Sequence, residues 1–216
     1  MLQDNLKVIN ENIKFSVKNS TLACDNPSLI AVVKNRSDSN VELLIENGIL
    51  HFADSYLQEH LQRKPSLKEK QDIKWHFIGQ IQTNKLQKIV ENFDVIHSIS
   101  SIKIIDFILN LRDKGININN KKFLLQFNLT NKDTQCGILF DEIDDVITYA
   151  RSNDFPVCGF MCIGENNSNN PTIYAYMQKL KRRYNIDDLS MGMSNDYQTA
   201  VRFGASMLRI GSALFN

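Results

Sequence analysis

The feature that most constrains this chain is an alternation. Eight short apolar runs, at residues 29–33, 49–53, 75–78, 95–99, 123–129, 157–163, 189–192 and 207–210, are separated by amphipathic or charged stretches at 41–47, 55–62, 84–92, 102–114, 141–152, 172–184 and 196–203. Each run reads as a strand and each intervening stretch as a helix. Strands that alternate with helices are parallel neighbours, because a parallel partner needs a crossover connection. An open doubly wound sheet also satisfies this pattern, but about eight units in 216 residues favour a closed (β/α)8 TIM barrel, an α/β fold. Ahead of the alternation, Leu2, Leu6, Ile9, Ile13 and Val17 fall on one helical stripe, so residues 1–19 are expected to open the chain as a helix.

With 43% hydrophobic residues, a chain of this length encloses one substantial core, and residues 1–216 read as a single domain. Lys and Arg number 25 against 24 Asp and Glu, a formal charge of +1, so no bulk field draws nucleic acid or an acidic membrane surface. Asp4, Lys7, Glu11, Lys14 and Lys18 break up the first twenty residues, which argues against a secretory leader. No apolar run approaches the length needed to cross a bilayer, and the expected location is cytoplasmic. Cys158 and Cys162, four apart on a strand, are expected to share a face, and all four cysteines are expected to be reduced thiols. His51, His60, His76 and His97 are scattered without ligand spacing, so no metal is expected.

Lys34 follows the first run directly, in AVVK. In a parallel barrel the loops at the carboxyl ends of the strands converge on one mouth, where active groups gather. An amine held there against apolar walls loses solvation, its pKa falls, and it can attack a carbonyl to form a Schiff base. A solvated strand terminus is the plainer reading of the same lysine. After the seventh run, Gly192-Met193-Ser194 leads into a helix begun by Asn195 and Asp196, a hydroxyl and free amides that suit a phosphate. After the eighth, Arg209-Ile210-Gly211-Ser212 opens a short terminal helix, with Gly211 allowing close backbone approach and Ser212 adding an amide and a hydroxyl. Taken one at a time, Ser194 and Ser212 are equally well read as helix caps. A phosphate cup facing a Schiff-base lysine describes a pyridoxal 5'-phosphate (PLP) pocket.

The segments AVVK, WHFIGQIQTNK (Trp75 to Lys85), LSMGMSNDYQTAVRFGAS and MLRIGSALF resemble the pyridoxal phosphate homeostasis proteins. Members of that family are single-domain barrels similar to the amino-terminal domain of bacterial alanine racemase. The likeness runs from about Leu29 to Phe215. It implies that Lys34 carries PLP as an internal aldimine, that Ser194, Gly211 and Ser212 hold its phosphate, that Met193 is a further cofactor-binding residue, and that Arg209 faces the pyridine nitrogen. A guanidinium only donates hydrogen bonds, so that nitrogen would stay unprotonated and the ring would be a weak electron sink. His76 and Asn84 belong to the second signature. His76 is either a cofactor contact or a satisfied core histidine, and Asn84 either a contact or a helix cap. Lys85 is a second amine that helps pass the cofactor on, or a solvated first-turn lysine.

The resemblance therefore implies a monomeric PLP-binding protein of intracellular PLP homeostasis, a carrier or regulator without established catalysis, whose partners are PLP and PLP-dependent apoenzymes. The family pattern is not kept everywhere. Ala53, Asp54 and Ser55 replace glycine, glutamate and asparagine; Asn35 and Arg36 follow Lys34 where threonine and lysine are common; Gln135 and Cys136 stand where a lysine usually precedes Gly137. Two rival functions use the same residues: a PLP-dependent amino-acid racemase-like enzyme, and a Schiff-base aldolase acting on a phosphorylated sugar. The polar loop at 164–172 is expected to be mobile.

Overall fold

Strands buried on both faces carry apolar side chains throughout rather than alternately, and that is why the eight runs stand out in the sequence. In the computed structural model they are β1 (Ser28–Val32), β2 (His51–Asp54), β3 (Lys74–Phe77), β4 (Val95–Ile99), β5 (Lys122–Phe127), β6 (Val157–Cys162), β7 (Asp188–Ser190) and β8 (Met207–Ile210). They pair in parallel in chain order, and β8 pairs with β1 to close the barrel. The helices are α1 (Leu2–Lys18), α2 (Asp38–Glu46), α3 (Leu57–Arg63), α4 (Leu86–Asn92), α5 (Ile102–Asp113), α6 (Ile143–Ser152), α7 (Pro171–Tyr184), α8 (Tyr197–Arg202) and α9 (Ser212–Phe215). The structure describes residues 1–63, 72–130, 135–164 and 171–216. Residues 165–170 of the expected mobile loop, and 131–134 of the segment that departs from the family pattern, lie outside the described residues.

Inside the barrel, Ile30, Ala53, Val95, Leu124, Met161 and Met207 form a small apolar plug. The alternate residues Ala31, Phe52, Phe77, Ile96, Phe123, Phe160 and Leu208 face outward into a larger core shared with the helices. Burying an aliphatic or aromatic side chain of this size contributes about 1.5–3 kcal/mol, so this outer core supplies most of the driving force for closure.

One expectation fails at β6. The β5–β6 register slips between Phe123↔Val157 and Leu124↔Gly159, and this bulge puts Cys158 beside the inner plug and Cys162 in the outer core. The two thiols therefore do not share a face. All four cysteines are free, and burial pushes the Cys162 thiol up to about 12.

The stripe on α1 packs as expected, with Leu6, Ile9 and Ile13 buried and Leu2 and Val17 partly so. It lies against the two short helices behind the last strands: Asn12 Nδ2 donates to the Tyr197 hydroxyl at 2.9 Å, and Asn5 Nδ2 donates to the carbonyls of Leu214 (3.1 Å) and Asn216 (3.0 Å). Among the described residues no helix is long and apolar enough to cross a membrane.

Candidate functional site

Because β7 and β8 are neighbours, the loops that leave their carboxyl ends emerge side by side. The first loop turns at Gly192, whose φ is +90°, and a Cβ there would lie 2.5 Å from Ala200 Cβ, so both backbone and packing demand glycine. Asp196 then folds the loop back. Its carboxylate accepts the Met193 amide at 2.7 Å and the Tyr174 hydroxyl at 2.6 Å, and burial together with that carboxylate drives the Tyr174 phenol far above its ordinary pKa.

Ser194 is thereby presented to the second loop, where its Oγ accepts the amides of Gly211 (3.3 Å) and Ala213 (3.1 Å). The expected meeting of Ser194 and Gly211 is observed. Gly211 itself has φ −121°, outside the left-handed region, and a Cβ would meet only Val32, at 3.4 Å. Packing leaves this position open, and a Cβ would fill the space above the end of β8. Ser194 Oγ holds both amides through neutral contacts, so a phosphate-sized anion seated here would take them over from the serine and accept its hydroxyl proton as well, in the space a Cβ at 211 would fill. Ser212 is exposed at the first position of α9, and Met193 contributes no free amide because Asp196 takes it.

Arg209 lies within the barrel below this cradle and is buried. It donates to Ser190 Oγ at 2.5 Å and to the Cys162 carbonyl at 2.8 Å, both neutral acceptors, while burial pulls its pKa below the ordinary guanidinium value. Ser190 continues into a row of imidazoles. His97 Nδ1 is 2.8 Å from Ser190 Oγ, His76 Nδ1 is 2.8 Å from His97 Nε2, and His51 Nδ1 is 2.9 Å from His76 Nε2. Desolvation is the main cause that holds these rings neutral: it lowers His76 to about 3 and His97 well below its ordinary value, and it lowers the half-buried His51, aided by the charges of Lys122 and Lys74. His76 is therefore a satisfied interior histidine that reaches Arg209 through two intermediaries. The chain escapes sequence reasoning because its members sit on four different strands; the one signal was that 51, 76 and 97 fall on inward positions of successive strands.

Lys34 stands just past the end of β1, two residues beyond the Val32 that touches Gly211, so it shares the mouth with the cradle. The apolar walls expected around its amine are not there: Lys34 is exposed, because the chain turns out of the barrel at once, with Asn35 in the left-handed region at φ +57°. Asn84 does not cap a helix. It is exposed in a 3-10 turn, Thr83–Lys85, and α4 starts only at Leu86. Lys85 is half-buried and lines a groove of about 450 Å³ with Ser55, Tyr56, Gln80 and Gln82. In that same signature Gly79 is required by packing, since a Cβ would fall 2.0 Å from the Ser55 carbonyl oxygen. Gln135 and Cys136 are tied by their carbonyls, which accept from Asn128 Nδ2 (2.9 Å) and Gln126 Nε2 (2.6 Å) respectively.

The closed eight-stranded parallel barrel is the fold of the alanine-racemase-type barrels. The solved PipY of Synechococcus elongatus PCC7942 with PLP bound superposes with a TM-score of 0.85 at 24% identity, over 100% of both chains. Alanine racemase from Acinetobacter baumannii matches at TM-score 0.73 and 16% identity, covering 99% of this chain and 60% of the enzyme. No family model matches the sequence. Two curated relatives, both pyridoxal phosphate homeostasis proteins, do. The one from Buchnera aphidicola subsp. Schizaphis graminum is 32% identical over 98% of this chain and 95% of its own, and the one from Synechocystis sp. is 34% identical over 93% and 96%. The chain belongs to the pyridoxal phosphate homeostasis protein family.

Proposed function

We propose that this protein binds PLP and serves PLP homeostasis, holding the cofactor covalently through the amine of Lys34 and passing it to PLP-dependent apoenzymes. The observation that supports the reading is that the chain leaves β1 at Lys34 on the same end of the barrel as the loops that join Ser194 to Gly211 and Ala213, with Arg209 buried in the barrel below them. When bound, PLP supplies an aldehyde that condenses with an amine, the carbonyl oxygen leaving as water with the two amine protons. The chain's own part would be to hold the phosphate with the Ser194 hydroxyl and with the Gly211 and Ala213 amides taken over from Ser194 Oγ, and to offer Arg209 on the side of the ring nitrogen.

Arg209 favours a carrier over a catalyst. Its hydrogen bonds go to a hydroxyl and a carbonyl, so its charge stays uncompensated by a direct carboxylate contact and opposes a proton on the nitrogen it faces. A ring without that proton withdraws electrons poorly. In this role the protein would act in the cytoplasm as a monomer, with no resident metal.

The test is the visible spectrum of the purified protein before and after borohydride, for wild type and Lys34→Ala. A yellow protein whose chromophore becomes fixed to Lys34 is the expected result; a colourless wild type that takes up no PLP would refute the proposal. Wash-in of solvent deuterium at the α-carbon of added amino acids would instead establish the racemase-like reading.

A further inference from the structure

The turn that carries Lys34 is held from outside the barrel by side chains of α3. Asp54 closes β2 on its outward side and is fully buried, a costly place for a carboxylate unless it is paired. Its partner is Arg63, itself 5% exposed at the end of α3, whose Nη1 donates to Asp54 Oδ1 at 3.0 Å and Oδ2 at 2.7 Å. The other arm of the guanidinium reaches a different segment: Nη2 donates to the carbonyls of Val33 (3.3 Å) and Arg36 (3.0 Å). Those two carbonyls bracket Lys34 and Asn35. Arg63 Nε also faces Asp38 Oδ1 at 3.4 Å, at the start of α2, and Glu59 of α3 accepts the Asn35 amide at 3.1 Å.

We propose that Arg63 and Asp54 are positioning residues for Lys34: the buried pair clamps the 33–36 turn so that the lysine amine is delivered to the aldehyde end of a cofactor seated on the Ser194 cradle. This rests on the reading of Lys34 as the attachment point. A planar guanidinium offers its donors in fixed directions, so anchoring one edge on Asp54 fixes where the other edge holds the turn. With the backbone on both sides of Lys34 set, only side-chain torsions remain to be ordered when the amine meets its target, and the entropic cost of reaction falls accordingly. The departure at Asp54 belongs to this device, since it is the carboxylate on which the fork is built.

The experiment compares two ligands on the apoprotein: PLP, and 4'-deoxypyridoxine 5'-phosphate, which fits the same cradle but lacks the aldehyde. Wild type, Arg63→Met and Arg63→Lys are followed by Trp75 fluorescence for binding and by the borohydride-fixable adduct on Lys34 for attachment. For Arg63→Met the expected result is unchanged analogue affinity, attachment slowed by about tenfold or more, and partial recovery in Arg63→Lys. Equal losses for both ligands, or no loss for either, would overturn the clamp. Should Arg63→Met fail to fold, Arg63→Lys, which keeps a charge on Asp54 but not the fork that spans to the Val33 and Arg36 carbonyls, decides: slower attachment with analogue affinity unchanged supports the clamp, and an unaltered rate sinks it. If wild type binds the analogue but never forms the Lys34 adduct, the attachment reading itself fails, which is a distinct outcome.

Discussion

Ser190 has one hydroxyl proton, and its neighbours decide where that proton goes. Arg209 can only donate, so Ser190 Oγ accepts from it, leaving His97 Nδ1 as the acceptor for the serine proton. His97 must then carry its proton on Nε2 and give it to His76 Nδ1, and His76 in turn gives its Nε2 proton to His51. The opposite order would leave a buried hydroxyl proton without an acceptor, at a cost of about 1–3 kcal/mol. All three rings are thus Nε2–H tautomers with their Nδ1 lone pairs turned toward the guanidinium. Nitrogen-15 NMR of histidine-labelled protein at pH 7.5 should show three protonated Nε2 atoms in this chain; a protonated Nδ1 on His97 would contradict the ordering. Ser190→Ala should release His97 to the other tautomer and disturb Arg209 without unfolding the barrel.

At the level of single elements, the loop after β7 is the most tightly specified. Gly192→Ala combines a left-handed backbone with a 2.5 Å approach to Ala200 Cβ, so a loss of roughly 2–4 kcal/mol is expected in urea unfolding, with weakened phosphate binding. A change below about 0.5 kcal/mol would mean that the loop relaxes freely. Elements such as these were largely readable from the sequence: all eight strands fall on the apolar runs, and the meeting of Ser194 with Gly211 follows from adjacent strands ending together. The β6 bulge was not readable, because a register slip depends on what β5 presents rather than on residues 157–162. Nor was Arg63, which in sequence is one more charged residue in a helix's last turn. Its place became apparent only once β2 put a carboxylate under it.

For the molecule as a whole, the buried imidazoles set the acid limit. The unfolded chain binds protons at His76 and His97 below pH 6.5, whereas in the folded barrel His76 does not do so until about pH 3 and His97 stays neutral well below 6.5. Their contribution is therefore fully present above pH 6.5 and is lost progressively as the pH falls toward the folded values. Chemical denaturation should show stability dropping by about 1.2 kcal/mol for each such ring between pH 6 and 5, so roughly 2.5 kcal/mol for the pair. A flat profile over that interval would show that the rings are protonated or solvated in the native state.

The side chain of Asn5 grips the carbonyls at 214 and 216, and the helix it grips begins one residue after Gly211. Whatever stiffens that last turn from the mouth must also stiffen the first helix, and by reciprocity a loosened first helix must weaken the grip on the ligand. Amide exchange across residues 2–18 would then slow on addition of PLP, and Asn5→Ala would uncouple the two ends. The first helix would in that case report occupancy of a cradle built at the opposite extremity of the polypeptide.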